Sequence, residues 1–103
     1  MLLSEQWIDS ATKQIRQGVL DESNDSSIVM LLDLCNDQPL KAVQVIYEIM
    51  EKTSDSDLLS YLGAGPLEDL LVKHPEFLNK FSNDSIDNPK LQQCLSQVNL
   101  DDV

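Results

Sequence analysis

His74, the one histidine of the chain, is the first candidate for acid or base chemistry, because imidazole is the side chain that titrates near neutral pH. It directly precedes Pro75 at a predicted helix end, where the helix dipole favours a cation. That position explains the histidine without catalysis. A serine nucleophile would need a strand-to-helix elbow such as G-x-S-x-G, and the sequence has none. We therefore predict that the protein is not an enzyme, and we exclude a serine hydrolase.

Oxygen-bearing side chains at alternate positions, Asp21, Ser23 and Asp25, look like the start of a calcium-binding loop. In such a loop the sixth residue is glycine and the twelfth is a bidentate glutamate, whereas this chain has Ser26 and Leu32 there. Turn and helix-cap chemistry explains the segment better. The sequence therefore predicts no metal site.

The segment Gly63-Ala64-Gly65 is too short for a phosphate-binding loop and lacks a following Gly-Lys-Ser/Thr. Two carboxylates, Glu68 and Asp69, follow closely and would repel phosphate. We predict no nucleotide site and no cofactor.

A chain of 103 residues with 42% hydrophobic residues fits one domain, residues 1–103, around a single core. Its two cysteines, Cys35 and Cys94, are far apart in sequence and lie within apolar helical patterns. We expect two small buried side chains, with neither a disulfide nor a metal between them. The amino terminus has no basic start and no long apolar run, so we expect a cytoplasmic protein without a membrane-spanning segment.

The acidic balance is the most distinctive property of the sequence. Eighteen Asp and Glu against seven Lys and Arg leave a formal charge of -11, which disfavours direct binding to nucleic acid or to anionic membranes. This charge exceeds the magnitude of about 2 to 8 that suffices for solubility. Our leading hypothesis is a non-enzymatic binding module for a basic protein, such as the immunity protein that inhibits a bacterial toxin nuclease. The alternative is an acidic surface that is merely solvated.

The candidate binding residues are carboxylates from the polar stripe of the third helix, the loop after it and the corner near Pro66. They are Glu48, Glu51, Asp55, Asp57, Glu68 and Asp69.

Helical periodicity throughout the chain predicts an all-α fold of six or seven short helices, packed as antiparallel hairpins and in a form that resembles a repeat stack. The first helix should run from Ser4, as its cap, to Gly18, with Trp7 and Ala11 on one face. A polar loop over residues 21–27 should follow, and the last three residues should fray.

The segment from Ile28 to Cys35 is apolar except for Asp33. A buried strand competes with a helix here, and we favour a helix because its leucines and methionine are good helix formers. Such a helix would be hydrophobic nearly all round and should be covered on most sides.

Proline and glycine set the remaining boundaries. Pro39 and Pro89 should each open a helix, and Gly63 should end one before a tight corner that closes at Pro66. His74-Pro75 should break the next helix, and a further helical turn should start at Pro75.

The helix from Pro39 to Lys52 carries apolar residues, Leu40 and Tyr47 among them, over about 220° of its circumference. We expect it to be the central element. A second functional hypothesis follows from this width, namely a scaffold or homo-oligomer subunit that buries part of the helix against another copy, with a homodimer as the simplest form.

The eleven-residue block from Tyr61 to Leu71, YLGAGPLEDLL, resembles the hallmark of an uncharacterised family of small acidic helical bacterial proteins. The aliphatic helix at 40–48 and the segment 88–98 occupy similar places, so the resemblance covers residues from about 24 to 98. It implies an all-helical protein of a family with no assigned reaction, and it gives no catalytic role to Glu68 or Asp69. The first helix and the segment from His74 to Phe77 depart from the family pattern.

Overall fold

The computed structural model describes residues 2–17 and 25–99, and these residues form helices and no strand. The all-α prediction is confirmed. In chain order the elements are α1 Leu3–Gln17, α2 Asp25–Asp37, α3 Pro39–Lys52, α4 Ser56–Leu62, a π-helical turn Gly63–Leu67, α5 Glu68–Lys73, a 3₁₀ turn Pro75–Phe77, α6 Leu78–Ser85 and α7 Pro89–Ser96. The seven α-helices of the described residues range from 6 to 15 residues in length, and a repeat-like arrangement stays a prediction.

Local signals place several helix starts as predicted. Pro39 and Pro89 both occupy the first turn of their helices, where the missing N–H has no helical partner to lose. Asp55 caps α4 by accepting a hydrogen bond from the Asp57 backbone N–H at 2.9 Å. Asn88 caps α7 in the same manner, accepting from the backbone N–H of Leu91 at 3.2 Å.

Helix α1 is amphipathic as predicted, with Trp7 and Ala11 fully buried. The prediction that Ser4 is its cap was wrong, because the helix begins one residue earlier. Ser4 is buried and its hydroxyl accepts a hydrogen bond from the Lys52 ammonium at 3.1 Å. The predicted helix end at Gly18 and the predicted fraying of the last three residues lie outside the described residues. The loop predicted over residues 21–27 lies outside them up to residue 24, and its last three residues instead belong to α2, which begins at Asp25.

Helices α2 and α3 are separated by Gln38 alone, and α1 packs on both. The prediction that α2 is covered on most sides was wrong, since the side chains of Val29 and Met30 are half exposed. The apolar face of α3 is also narrower than predicted, because Leu40 is 75% exposed. Burial depends on which partner helices are present, and the main partners of α3 are α1 and α2.

The middle of the fold is the helical segment from Ser56 to Lys73, which contacts α1, α2 and α7. The central position predicted for α3 is therefore wrong. So is the predicted corner at 63–66: the backbone at Gly63 is right-handed helical, with φ of -68° and ψ of -45°, and the helix continues through it. Pro66 is accommodated inside the helix because the turn is widened, with the Glu68 N–H bonding to the Gly63 carbonyl five residues back.

One hydrophobic cluster joins all the helices. Its buried members are Trp7, Ala11, Leu31, Cys35, Ala42, Val43, Ile46, Ile49, Met50, Leu58, Leu59, Leu62, Leu67, Leu70, Leu71, Phe81, Leu91 and Cys94. The indole N–H of Trp7 has no hydrogen-bond partner in the described part of the chain, and its ring meets the Tyr61 ring edge-on at 5.5 Å. The single tryptophan is therefore held by packing and not by a polar contact. Its fluorescence should report whether the core is intact.

Both cysteines are free and buried, as predicted. Burial raises the pKa of the Cys35 thiol to about 12 and that of Cys94 to about 11. Cys35 also donates a hydrogen bond to the Pro66 carbonyl oxygen at 3.3 Å.

We expect neither thiol to react with a disulfide reagent such as DTNB at pH 8 while the protein is folded, because the thiolate is the reacting species. Adding urea should release both thiols in parallel with the change in Trp7 fluorescence. Rapid reaction of one thiol in the folded protein would contradict its burial and would place it in a locally opening segment.

Candidate protein-binding groove

A groove of about 470 Å³ runs between α2 and α3 and is closed at one side by the start of α1. It is open to solvent along its length. Its lining residues are Leu2, Leu3, Met30, Asp33, Leu34, Lys41, Gln44, Val45 and Glu48.

Helical spacing explains why these residues share one groove. On α2, Met30, Asp33 and Leu34 lie three and four residues apart, so they project from the same side of the helix. The α3 residues of the groove repeat this spacing from Lys41 to Glu48. Two parallel stripes of side chains, one from each helix, therefore form the two walls.

The groove is apolar along its floor. Leu2 is 55% exposed and Met30 is 50% exposed, although both are large hydrophobic side chains. Leu34 and Val45 are half-buried and pack against the core cluster. Exposed apolar side chains are ordinary when single, whereas several that share one concave surface indicate a binding site.

The groove is polar along its rim. Asp33 from α2 and Glu48 from α3 stand on it, together with Lys41 and Gln44. Neither carboxylate makes a hydrogen bond or an ion pair within the described residues. Two acids facing solvent beside an apolar floor offer both contact area and negative charge to an incoming group.

Of the six carboxylates predicted as binding residues, Glu48 is the one that lines this groove. Glu51 borders a smaller depression of about 160 Å³, which Tyr47, Asn88 and Lys90 also line. Asp57 is exposed in the first turn of α4. These three side chains carry no hydrogen bond or ion pair within the described part of the chain.

The other three predicted carboxylates have partners inside the protein. Asp55 accepts a hydrogen bond from Arg16 in addition to capping α4. The backbone N–H of Asn99 donates to Glu68 Oε1 at 2.8 Å, and Asp69 forms an ion pair with Lys73 at 3.2 Å.

The helical segment also separates the predicted residues in space. Glu68 follows Asp57 by eleven positions along it, which corresponds to roughly 17 Å at the rise of an α-helix. The structure therefore brings Glu48 to the groove and places Glu68 and Asp69 in the first turn of α5. A binding role for the six carboxylates stays a prediction.

A polar cluster that the sequence pattern did not indicate links α3 to α6. Its acid is Asp84, which lies near the end of α6. The Tyr47 hydroxyl donates to its Oδ2 at 2.6 Å, and the Lys80 ammonium donates to the same oxygen at 3.1 Å. The hydrogen bond from Tyr47, followed by that from Lys80, lowers the pKa of Asp84 below its ordinary value of 3.8.

We expect Asp84 to contribute to stability at neutral pH and to lose that contribution in acid. Its pKa is lower in the folded than in the unfolded chain, so the ionised form favours folding above about pH 4, and the gain disappears as the pH falls through the folded pKa. The urea midpoint of the wild type should therefore fall more between pH 6 and pH 3 than that of Asp84→Asn. Asp87→Asn, which removes an exposed acid with no partner in the described chain, should retain the wild-type slope.

No group of three or more potential metal ligands converges within residues 2–17 and 25–99. The calcium-like segment falls mostly outside these residues. No helix in the described part of the chain is long and apolar enough to cross a membrane.

Two features of the sequence belong to the groove, although the sequence alone did not predict a groove. One is Asp33, the single acid inside an apolar helix, and the other is the pair Leu2-Leu3, which lies ahead of the predicted first helix. Both line the groove once α2 and the start of α1 are packed beside α3.

Fold and groove together define the class of the protein: an acidic all-α protein with an open apolar groove and carboxylates on its rim. The chain belongs to the family of unknown function DUF6869, whose family model matches residues 13–102. This confirms the resemblance to an uncharacterised family. No curated protein and no solved structure matches the chain.

Proposed function

We propose that the protein is a non-enzymatic module that binds a basic protein partner, and that it acts as an immunity protein against a bacterial toxin such as a nuclease. The observation that carries the proposal is the groove between α2 and α3, where exposed apolar side chains lie beside Asp33 and Glu48 in a chain of charge -11.

The two features of the groove have different effects on binding. Fully burying a leucine or methionine side chain contributes about 1.5 to 3 kcal/mol, so Leu2 and Met30, each half exposed, retain roughly half of that for a partner. The negative charge contributes mainly to the rate of encounter and can raise it by about 10 to 1,000-fold.

Nuclease toxins suit this chemistry because a surface that binds phosphates must be basic. An acidic protein can occupy such a surface in competition with nucleic acid. The proposal assigns the protein to the cytoplasm, where an inhibitor would meet a toxin that acts on cellular nucleic acid.

The proposal can be tested by capturing partners with the full-length tagged chain in extracts of its native cells and identifying the bound protein. With that protein purified, the association rate is measured at several salt concentrations. Wild type is compared with a variant that neutralises the three predicted carboxylates free of internal partners, Glu48→Gln, Glu51→Gln and Asp57→Asn.

We expect the triple variant to associate about 3 to 10-fold more slowly at low salt and to depend less steeply on salt. The matched control is Glu76→Gln with Asp87→Asn, which removes two exposed acids away from the groove. If the captured protein is not basic, or if rate and salt dependence are unchanged in the triple variant, the proposal is wrong.

A scaffold or homo-oligomer is the second candidate function, and Leu40 favours it. This side chain is 75% exposed at the start of α3, beside a shallow depression that Gln38, Pro39 and Lys41 also line. Sedimentation over a range of concentrations separates the two functions. A stable dimer that Leu40→Ser converts to a monomer would support the scaffold, and a monomer at all concentrations would reject it.

A further inference from the structure

We infer that the groove between α2 and α3 receives an amphipathic, basic α-helix of the partner protein. This inference rests on the proposed function and adds to it the secondary structure, the length and the charge of the segment that binds.

The walls of the groove favour a helix over an extended segment. An extended peptide must find hydrogen-bond partners for its backbone, which it usually takes from the edge of a sheet. Here both walls are helices, whose backbone groups are already bonded within the helix, and the groove offers side chains only. A helix satisfies its own backbone and presents apolar side chains every three or four residues.

The length of the groove sets the length of the contact. The lining stripe on α3 extends over eight residues from Lys41 to Glu48, a rise of about 11 Å along the helix axis. That length matches two helical turns of a partner, with apolar side chains at positions i, i+3, i+4 and i+7 above Met30, Leu34 and Val45. The flexible side chain of Met30 can adapt to the residue that it receives.

Charge complementarity sets the sign of the helix that binds. Asp33 and Glu48 stand on opposite walls, and Asp37 lies one turn beyond Asp33 on the same side of α2. Among the described residues that line the groove, Lys41 is the single base. An apolar helix stripe flanked by Lys or Arg would therefore meet a net negative rim, whereas an acidic helix would be repelled.

The test uses a fluorescent peptide of about 18 residues made of Leu, Lys and Ala, long enough to form a helix when bound. Its leucines are spaced i, i+3, i+4 and i+7. One control peptide has the same composition with leucines at alternate positions, and a second has Glu in place of Lys. Binding to the full chain is followed by anisotropy, and helix formation by the peptide is followed by circular dichroism.

Two pairs of variants locate the binding site. Met30→Lys places a positive charge on the groove floor, and Ile86→Lys places one at an apolar side chain that is 72% exposed in the turn after α6. The variant Asp33→Asn with Glu48→Gln removes the rim acids, and Glu76→Gln with Asp87→Asn removes two acids elsewhere.

We expect the helical peptide to bind and gain helix, and Met30→Lys to weaken binding at least tenfold, against less than twofold for Ile86→Lys. The variant Asp33→Asn with Glu48→Gln should lower the affinity for the peptide about 3 to 10-fold, as expected for two partly exposed charge pairs. Its control, Glu76→Gln with Asp87→Asn, should lower the affinity less than twofold.

No binding of the helical peptide at about 1 mM overturns the inference, because a micromolar-to-millimolar affinity is the least that such a contact should give. If the peptide with alternating leucines binds as tightly as the helical peptide, the segment that binds need not be a helix. If the Glu peptide binds as tightly as the Lys peptide, the charge argument is wrong. If a basic partner binds with steep salt dependence while Met30→Lys binds it normally, the groove assignment fails and the proposed function stands.

Discussion

Replacing Gly63 with Ala is expected to destabilise the protein by about 3 kcal/mol, or to prevent folding. A Cβ at this position would lie 2.7 Å from the carbonyl carbon of Cys94 and 2.9 Å from its Cα, and closer still to its carbonyl oxygen. These are backbone atoms of α7, which cannot move aside as a side chain can. Overpacking of this kind typically costs about 1 to 3 kcal/mol, and the contact with rigid backbone places Gly63 at the upper end.

Gly65→Ala is the matched control, since it changes the same residue type two positions along the same helical turn. A Cβ there would lie 3.6 Å from the Tyr61 ring, which is an ordinary contact. Alanine restricts the unfolded chain more than glycine does, so this variant should be neutral or more stable by up to about 1 kcal/mol.

The two glycine variants are compared by urea unfolding, followed by Trp7 fluorescence. Opposite signs for the two changes would confirm that Gly63 is required for close approach of two helices and not for flexibility. Equal and small effects would show that α7 does not pack directly on the backbone of the 63–67 turn.

Replacing Phe81 with Ala is expected to cost about 3 to 5 kcal/mol, the range for removing a fully buried aromatic ring. Phe81 is the one residue of α6 that is buried in the core, and its ring packs against that of Tyr47 at a centroid distance of 5.6 Å. The remaining links between α6 and α3 are polar and exposed, and exposed ion pairs contribute little. Because α6 also packs on α7, the loss should loosen α6 from α3 first.

Leu78→Ala on the same helix is the control, because this side chain is 37% exposed and should cost less than about 1 kcal/mol. Urea unfolding gives the free energies, and amide hydrogen exchange shows where the chain opens. In Phe81→Ala, exchange should accelerate first in α6, while α2 and α3 remain protected. A cost below about 1 kcal/mol would mean that α6 is held by other contacts.

This prediction bears on the proposed function. The groove is built by α1, α2 and α3, whereas α6 contacts α3 at Tyr47, which does not line the groove. A Phe81 variant that remains folded should therefore bind the helical peptide normally, and loss of binding through Met30→Lys should occur at wild-type stability.

The local features of this protein follow from its sequence alone. The first turns at Pro39 and Pro89 and the cap at Asp55 depend on the φ angle of proline and on hydrogen bonds between residues two or three apart. The amphipathic stripe of α1 follows from its periodicity. Such features need no knowledge of the rest of the fold, so the sequence alone can predict them.

Gly63 shows where prediction from the sequence ends. Glycine before Ala-Gly-Pro is typical of a helix end, yet the helix continues through Gly63. Glycine is required there because α7, about thirty residues later, comes too close for any side chain. The partners of the acids are equally remote: Asp55 is bonded to Arg16, 39 residues away, and Glu68 to Asn99, 31 residues away. Which acids remain available for a partner protein cannot be read from their own neighbours in sequence.

The groove is likewise a product of tertiary structure. The sequence determines that α2 is apolar on nearly all sides, and by itself this predicts burial. Only the packing of α1 and α3 decides that Met30 is left half exposed and that Asp33 and Glu48 line the same groove. Helix formation is governed by contacts within a turn, whereas exposure is governed by which surfaces the other helices cover.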